Sequence, residues 1–219
     1  VEKEDEGKEI IAALQKGDGA ALEIRATAEA LPGLTFAGEI LLVSPVIDPA
    51  SGSFHNAMVA YSAGEQWYYK RHLVPFGEFF PVPAVVREWM RLMNLPYSDF
   101  DAGPDDQQPL AVGNETLAPT ICYEDAYGVE QIDIVRKSTL LVNVTNDAWF
   151  GDSSAPHQHL DISRMRSLET GRPMLRATND GVTALIAYDG GLLAVLPQFE
   201  PGVLTGSIMP RTGFTPYLR

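Results

Sequence analysis

Cys122 is the only cysteine among 219 residues, and it stands in the stretch Thr120-Ile121-Cys122-Tyr123-Glu124-Asp125. A short strand is expected before it, at 115–121, and a helix after it, at 125–137. A thiol at such a junction is where a nucleophile is exposed and where backbone N–H groups can receive an oxyanion. A buried structural cysteine is the commoner use of a lone thiol, so the surroundings must decide. At neutral pH a thiol is mostly protonated and needs a base or a cation beside it. The histidines are His55, His72, His157 and His159, and none stands in a pattern that demands a Cys/His dyad. His72, two residues from Lys70, stays open. A lysine offers a different solution. Its ammonium stabilises the thiolate and then the oxyanion of a tetrahedral intermediate, while a carboxylate takes and returns the proton. Lys70 is the available lysine, and Glu78 and Glu124 are the carboxylates nearest in sequence. The chemistry would be acyl transfer through a thioester. Either glutamate also reads as an ordinary surface residue.

Other chemistries find less support. His157 and His159 have a spacing that puts their rings on different sides of a helix, and no cysteine pair is available for zinc. No Gly-rich phosphate loop and no Gly-x-Ser-x-Gly elbow occur. A formal net charge of −13 leaves no basic stripe for phosphates, which argues against a nucleic-acid partner. One cysteine excludes an intrachain disulfide without fixing the compartment. No apolar run approaches the length of a membrane span. The charged opening Val1-Glu2-Lys3-Glu4-Asp5-Glu6 is no signal peptide. The expectation is a chain that is soluble as written, whether or not it is cut from something larger.

The elements that must position these groups follow from periodicity. Residues 1–9 are a charge run. Ile10, Ile11 and Leu14, then Leu22, Ile24, Ala28 and Leu31, predict one or two amphipathic helices interrupted at 17–19. The apolar run 39–47 reads as a strand buried on both faces. Strands at 56–61 and 66–70 form a hairpin. The loop 70–79 is rich in ionisable and aromatic groups. Residues 84–95 have a helical period through Val85, Val86, Trp89, Met90, Leu92 and Met93. Such a face is more often core, though Met and Trp also suit a lipid surface. Residues 96–109 form a surface loop. A strand at 139–145 ends in the loop Asn146-Asp147-Ala148-Trp149-Phe150-Gly151. A helix at 156–170 stops at Gly171. A strand at 174–178, a hairpin of 182–188 with 192–196 and a last strand at 203–209 complete the chain. Helices alternating with strands and hairpins predict an α/β fold of mixed sheets covered by helices. The loops 70–79, 120–125 and 146–151 each follow a strand and could converge at one sheet edge.

The same residues carry a family likeness. Tyr69-Lys70-x-His72-Leu73-Val74-Pro75-Phe76-Gly77-Glu78-Phe79, then Ile121-Cys122-Tyr123-Glu124, then the 146–151 loop resemble the nitrilase-like domain of the bacterial apolipoprotein N-acyltransferase family. Further matches are Gln158-His159 with Arg164-Met165-Arg166, Arg176-Ala177-Thr178-Asn179, and the end Thr215-Pro216-Tyr217. The resemblance covers roughly 40–219. It divides the chain into an unmatched helical segment, 1–38, and a nitrilase-like catalytic domain, 39–219. It implies an α-β-β-α sandwich and a Glu-Lys-Cys catalytic set. By motif match Cys122 is the nucleophile and Lys70 the stabiliser of thiolate and oxyanion. Glu78, Tyr123 and Glu124 support the pocket, and Trp149 and Phe150 wall it. The implied reaction takes an acyl chain from a phospholipid and gives it to the α-amino group of a diacylglyceryl-cysteine at a lipoprotein N-terminus. No metal or organic cofactor is implied. The implied place is the periplasmic face of the bacterial inner membrane, reached through membrane segments that this sequence lacks. One departure matters: the family's base glutamate sits in a Trp-Pro-Glu setting that does not occur here, and Glu39 is the only tempting substitute. Two other readings remain. One is a soluble carbon–nitrogen hydrolase of small amides or nitriles. The other is a catalytically disabled fragment kept as a binding or assembly module.

Overall fold

In the computed structural model the described residues are 53–61, 65–83, 85, 86, 89, 92, 93, 100–200 and 202–219, with the backbone of 23–24 and 39–47. Two sheets organise them. The first is four-stranded and antiparallel, ordered β1 (Glu23–Ile24), β2 (Glu39–Ile47), β3 (Phe54–Tyr61) and β4 (Glu65–Tyr69). The second has six strands, β5 (Leu110–Val112), β6 (Glu115–Ile121), β7 (Leu140–Asn146), β8 (Met174–Asn179), β9 (Ala184–Ile186) and β10 (Leu192–Val195), in the order β10-β9-β8-β7-β6-β5. Strands β6, β7 and β8 run parallel, and the outer pairings are antiparallel.

The sequence explains this arrangement. Parallel strands need crossovers, and the crossover between β6 and β7 is helix α1 (Gly128–Arg136). The crossover between β7 and β8 is helix α2 (Ala155–Thr170). A strand covered on both faces is mostly apolar, and β7 is buried along its length up to Asn146, with Asn143 and Thr145 as its buried polar residues. Ala57, Met58, Val59 and Ala60 are all fully buried, so β3 is covered on both faces as well. The core joins Met58 and Tyr68 of the first sheet to Leu117, Leu140, Val142, Met174 and Ile186 of the second. Helix α2 ends at Gly171, whose φ of +64° is the left-handed stop that glycine takes without strain.

Several expectations change. Residues 22–31 read as helical, yet Glu23 and Ile24 pair with Leu41 and Ile40 as a strand; the rest of that segment lies outside the described residues. The helix expected at 125–137 begins as the tight 3-10 turn Cys122–Ala126 and turns α-helical only from Gly128. The strand expected at 203–209 joins no ladder. It crosses the structure as an unpaired extended segment, with Leu204 and Ile208 resting on the core and Val203 and Met209 exposed. Its alternating apolar residues are spent on the core, where Leu204 and Ile208 pack against buried side chains. The short strand β5 was hidden at the end of the polar 96–109 loop. Of the helix expected over 84–95, the described positions 85, 86, 89 and 92 are helical, and Val85, Trp89, Leu92 and Met93 are exposed. Among the described residues no helix is long and apolar enough to cross a membrane.

Candidate active site

Because β6, β7 and β8 are parallel, their carboxyl ends open onto one edge. Cys122 follows β6, Asp147 follows β7 and Asp180 follows β8, and the Asp147 N–H donates to the Asn179 carbonyl at 3.1 Å. Ligand sites in α/β sheets form at such edges. Cys122 sits there with φ +56°, a left-handed backbone for a residue with a side chain. Such a conformation costs about 1–3 kcal/mol and persists only where its surroundings enforce it.

Glu124 does much of that enforcing. It is fully buried. Its Oε2 accepts the Ile121 N–H at 2.7 Å, and its Oε1 accepts the N–H groups of Arg71 at 2.7 Å and His72 at 3.2 Å. The Tyr68 hydroxyl reaches both oxygens at 3.2 Å. One carboxylate thereby staples the loop after β4 to the turn that carries Cys122. Burial pushes the Glu124 carboxyl up, and the three backbone N–H groups and the Lys70 charge pull it back. Burial and the Glu124 charge push the Tyr68 phenol up.

Lys70 is also completely buried, and its ammonium donates to both Glu78 oxygens at 2.7 Å. Glu78 in turn accepts from Asn56 Nδ2 at 2.6 Å and from the Val74 N–H at 2.8 Å. A buried ammonium needs such a partner to stay charged. Among the described residues no side chain hydrogen-bonds Cys122 Sγ, and the thiol is partly exposed. Glu39 opens β2 opposite Tyr61, and its side chain lies outside the described residues.

The outer rim is aromatic. The Tyr123 and Tyr127 hydroxyls share a 2.9 Å hydrogen bond, which pushes the Tyr127 phenol up to about 12. His72 stacks on Tyr127 at 3.4 Å and lies 3.4 Å from Glu130. It therefore faces the rim and pairs with a tyrosine and a glutamate. Trp149 is 85% exposed and Phe150 about half exposed, both on the turn Ala148–Phe150 that follows β7.

A second buried layer lies behind the cysteine. Asn143 Nδ2 donates to the Cys122 carbonyl at 2.9 Å and to Thr120 Oγ1 at 3.0 Å, while its Oδ1 accepts from Arg176 Nη1 at 2.6 Å. Thr120, Asn143 and Arg176 are register partners across β6, β7 and β8. Arg176 also donates to Ser163 Oγ at 2.7 Å and to Asp147 Oδ2 at 3.1 Å. Ser163 donates to Asp125 at 2.5 Å. His159 lies between the two acids, with Nδ1 3.0 Å from Asp147 and Nε2 3.1 Å from Asp125. Gly181 packs on Asp147 so closely that a Cβ there would collide with its carboxylate. Sequence spacing singles out none of Asn56, Asn143 or Ser163, gives Asp125 no role, and offers His159 only as a base, a metal ligand or part of the family motif. The signal that was available is polar residues inside apolar strands: Asn143 within Leu-Leu-Val-Asn-Val and Arg176 within Met-Leu-Arg-Ala.

This combination of an antiparallel sheet, a mixed sheet and a cysteine elbow tied to a loop with a buried lysine belongs to a known class. Residues 17–217 match the carbon–nitrogen hydrolase family, and the chain is a member of it. The match begins within the 1–38 segment. Solved relatives share the fold: the C. elegans NitFhit protein at a TM-score of 0.52 and 15% identity, over 69% of this chain and 37% of that one. A carbon–nitrogen hydrolase from Helicobacter pylori G27 superimposes at a TM-score of 0.50 and 16% identity, over 68% of this chain and 55% of that one. In sequence the chain is 47% identical to the apolipoprotein N-acyltransferase of Methylococcus capsulatus, over 82% of this chain and 36% of that protein. It is 48% identical to the apolipoprotein N-acyltransferase of Chromobacterium violaceum, over 75% of this chain and 32% of that protein. The chain thus spans about a third of the length of these curated relatives.

Proposed function

We propose that this chain is the nitrilase-like catalytic part of an apolipoprotein N-acyltransferase, with residues 39–219 as its catalytic domain. The observation that carries the reading is the Glu124 staple, which fixes the Lys70 loop against the strained Cys122 elbow. The names of the relatives support N-acyl transfer to an apolipoprotein, and the family likeness read in the sequence suggests a phospholipid donor and a thioester route. In the first half-reaction the Cys122 thiolate attacks the ester carbonyl of a phospholipid. The S–C bond forms, the ester C–O bond breaks, and the released lysophospholipid oxygen takes the proton. In the second, the α-amino group of a lipoprotein diacylglyceryl-cysteine attacks the thioester. The C–N bond forms, the C–S bond breaks, and the amine gives its proton to the carboxylate that acts as base as the thiolate returns. Lys70, kept charged by Glu78, would stabilise the thiolate and each tetrahedral oxyanion. Glu124, Tyr123 and the Trp149–Phe150 turn shape the pocket. The parent protein would act at the periplasmic face of the bacterial inner membrane.

Intact mass spectrometry after incubation with phospholipid vesicles tests this. The chain should gain one acyl chain, and Cys122→Ala should gain none. Ammonia release from short amides without lipid acylation would replace the reading with that of a small-amide hydrolase. Glu39→Gln in the same assay reads whether that carboxylate is the base; loss of a general base slows the step by about 100-fold or more.

A further inference from the structure

We propose that the buried quartet Asp125, Asp147, His159 and Arg176 positions Cys122 for acyl transfer through Asn143, and does so only while His159 is protonated, which builds an alkaline limit into the site. The proposal rests on the acyl-transfer reading above.

The geometry of the ring is the starting point. Both His159 nitrogens face carboxylate oxygens, at 3.0 Å and 3.1 Å. A carboxylate oxygen only accepts, and a neutral imidazole has one donor and one acceptor. Only the imidazolium satisfies both contacts. The charges then balance: two carboxylates against one imidazolium and one guanidinium. Asp125, Asp147 and Arg176 are fully buried, so a neutral His159 would leave one negative charge uncompensated where solvent cannot screen it.

Arg176 is the link to the cysteine. It serves Asp147, Ser163 and Asn143 at once, and lies 3.6 Å from Asp125. If His159 loses its proton, Arg176 becomes the only cation for two carboxylates and is drawn toward them. Asn143 then loses the donor that fixes its amide orientation. With Oδ1 no longer held, Nδ2 is no longer aimed at the Cys122 carbonyl, and the left-handed elbow loses its anchor. The groups facing His159 come from every element around it. Asp125 lies on the turn after β6, Asp147 after β7, Arg176 on β8, and Ser163 one turn along α2. Burial alone would lower the ring's proton affinity, but the two carboxylates outweigh it and push His159 up to about 9.

The test is single-turnover acylation of the full chain by p-nitrophenyl butyrate from pH 7 to 10, with the Cys122→Ala background subtracted. The expected wild-type rate falls about tenfold between pH 8 and 10, as loss of one essential proton near 9 requires. His159→Gln is expected to be about tenfold slower at pH 8 and flat to pH 10. Alkylation of the single thiol by iodoacetamide forms no oxyanion and should change less than about threefold. A folded His159→Gln that keeps the wild-type rate, or the wild-type alkaline limb, overturns the proposal. Should that variant not fold, the wild type decides. The imidazole NMR midpoint of His159 must coincide with the acylation limb, and a mismatch overturns the proposal. Phospholipid uptake without an alkaline limb sinks this inference alone. A limb with the ester but no phospholipid uptake sinks the acyl-donor reading alone, and absence of any Cys122-dependent burst sinks both.

Discussion

Cys122 is flanked by two buried charged groups of opposite design. On one side, Glu124 and the Lys70–Glu78 pair hold the site mostly through backbone N–H groups contributed by residues 71, 72, 74 and 121. On the other, Asp125, Asp147, His159 and Arg176 hold it through one another, side chain to side chain. The first arrangement is set by loop conformation. The second depends on a balance of ionised groups and is therefore sensitive to pH. A carboxylate satisfied by backbone donors is a fixed strut, whereas one satisfied by histidine is a strut only while the histidine is charged.

The contrast can be broken at graded strength. Cys122→Ala should abolish acyl uptake, read as the absence of any acyl-protein mass, whichever flank holds the site. Arg176→Met should be the most destabilising change to the second flank. It leaves two buried carboxylates with one cation and should cost about 3–5 kcal/mol in urea unfolding. Glu124→Gln should cost less, about 1–3 kcal/mol, because the amide still accepts some of the backbone donors but brings its own N–H groups into a cluster of donors. Its acylation rate should fall across all pH values with no change in the shape of the profile. The pH dependence of stability should come from the second flank. His159 binds its proton more tightly folded than unfolded, so its contribution is full below its ordinary value of 6.5 and disappears as pH rises through about 9. Asp147 is held below its usual range, where hydrogen bonds and charge from His159 and Arg176 overcome burial, so its contribution disappears instead as pH falls through that lowered value. The urea midpoint should therefore decline from pH 7 to 10, and His159→Gln should flatten that decline. The smallest effect on stability is expected for Trp149→Ala, within about 0.5 kcal/mol, because the ring is 85% exposed. A matching loss of lipid acylation in that variant would mark Trp149 as a substrate wall.

The first flank was far more legible in the sequence than the second. Lys70, Glu78, Cys122 and Glu124 lie in short stretches whose local chemistry is plain. Helix α2 also announces itself, through its glycine stop. The second flank is a product of register. Thr120, Asn143 and Arg176 share a row only because β6, β7 and β8 are parallel and aligned at those positions, and no spacing rule within one segment contains that information. The segment 203–209 failed for the converse reason. Its alternation is right for a strand, but strands exist only with a partner, and here the apolar residues serve core packing without a ladder.

The row from Thr120 to Arg176 also carries a kinetic consequence. It joins three strands separated in sequence by whole helices, and contacts of that range form late because chain closure over long loops must come first. The elbow at Cys122 cannot adopt its left-handed turn until the row exists to hold its carbonyl. In refolding, then, the one thiol in the chain should reach its native chemical environment with the last long-range pairings of the central sheet, well after the β3–β4 hairpin has formed, and labelling it at timed intervals would serve as a clock for the closing step of assembly.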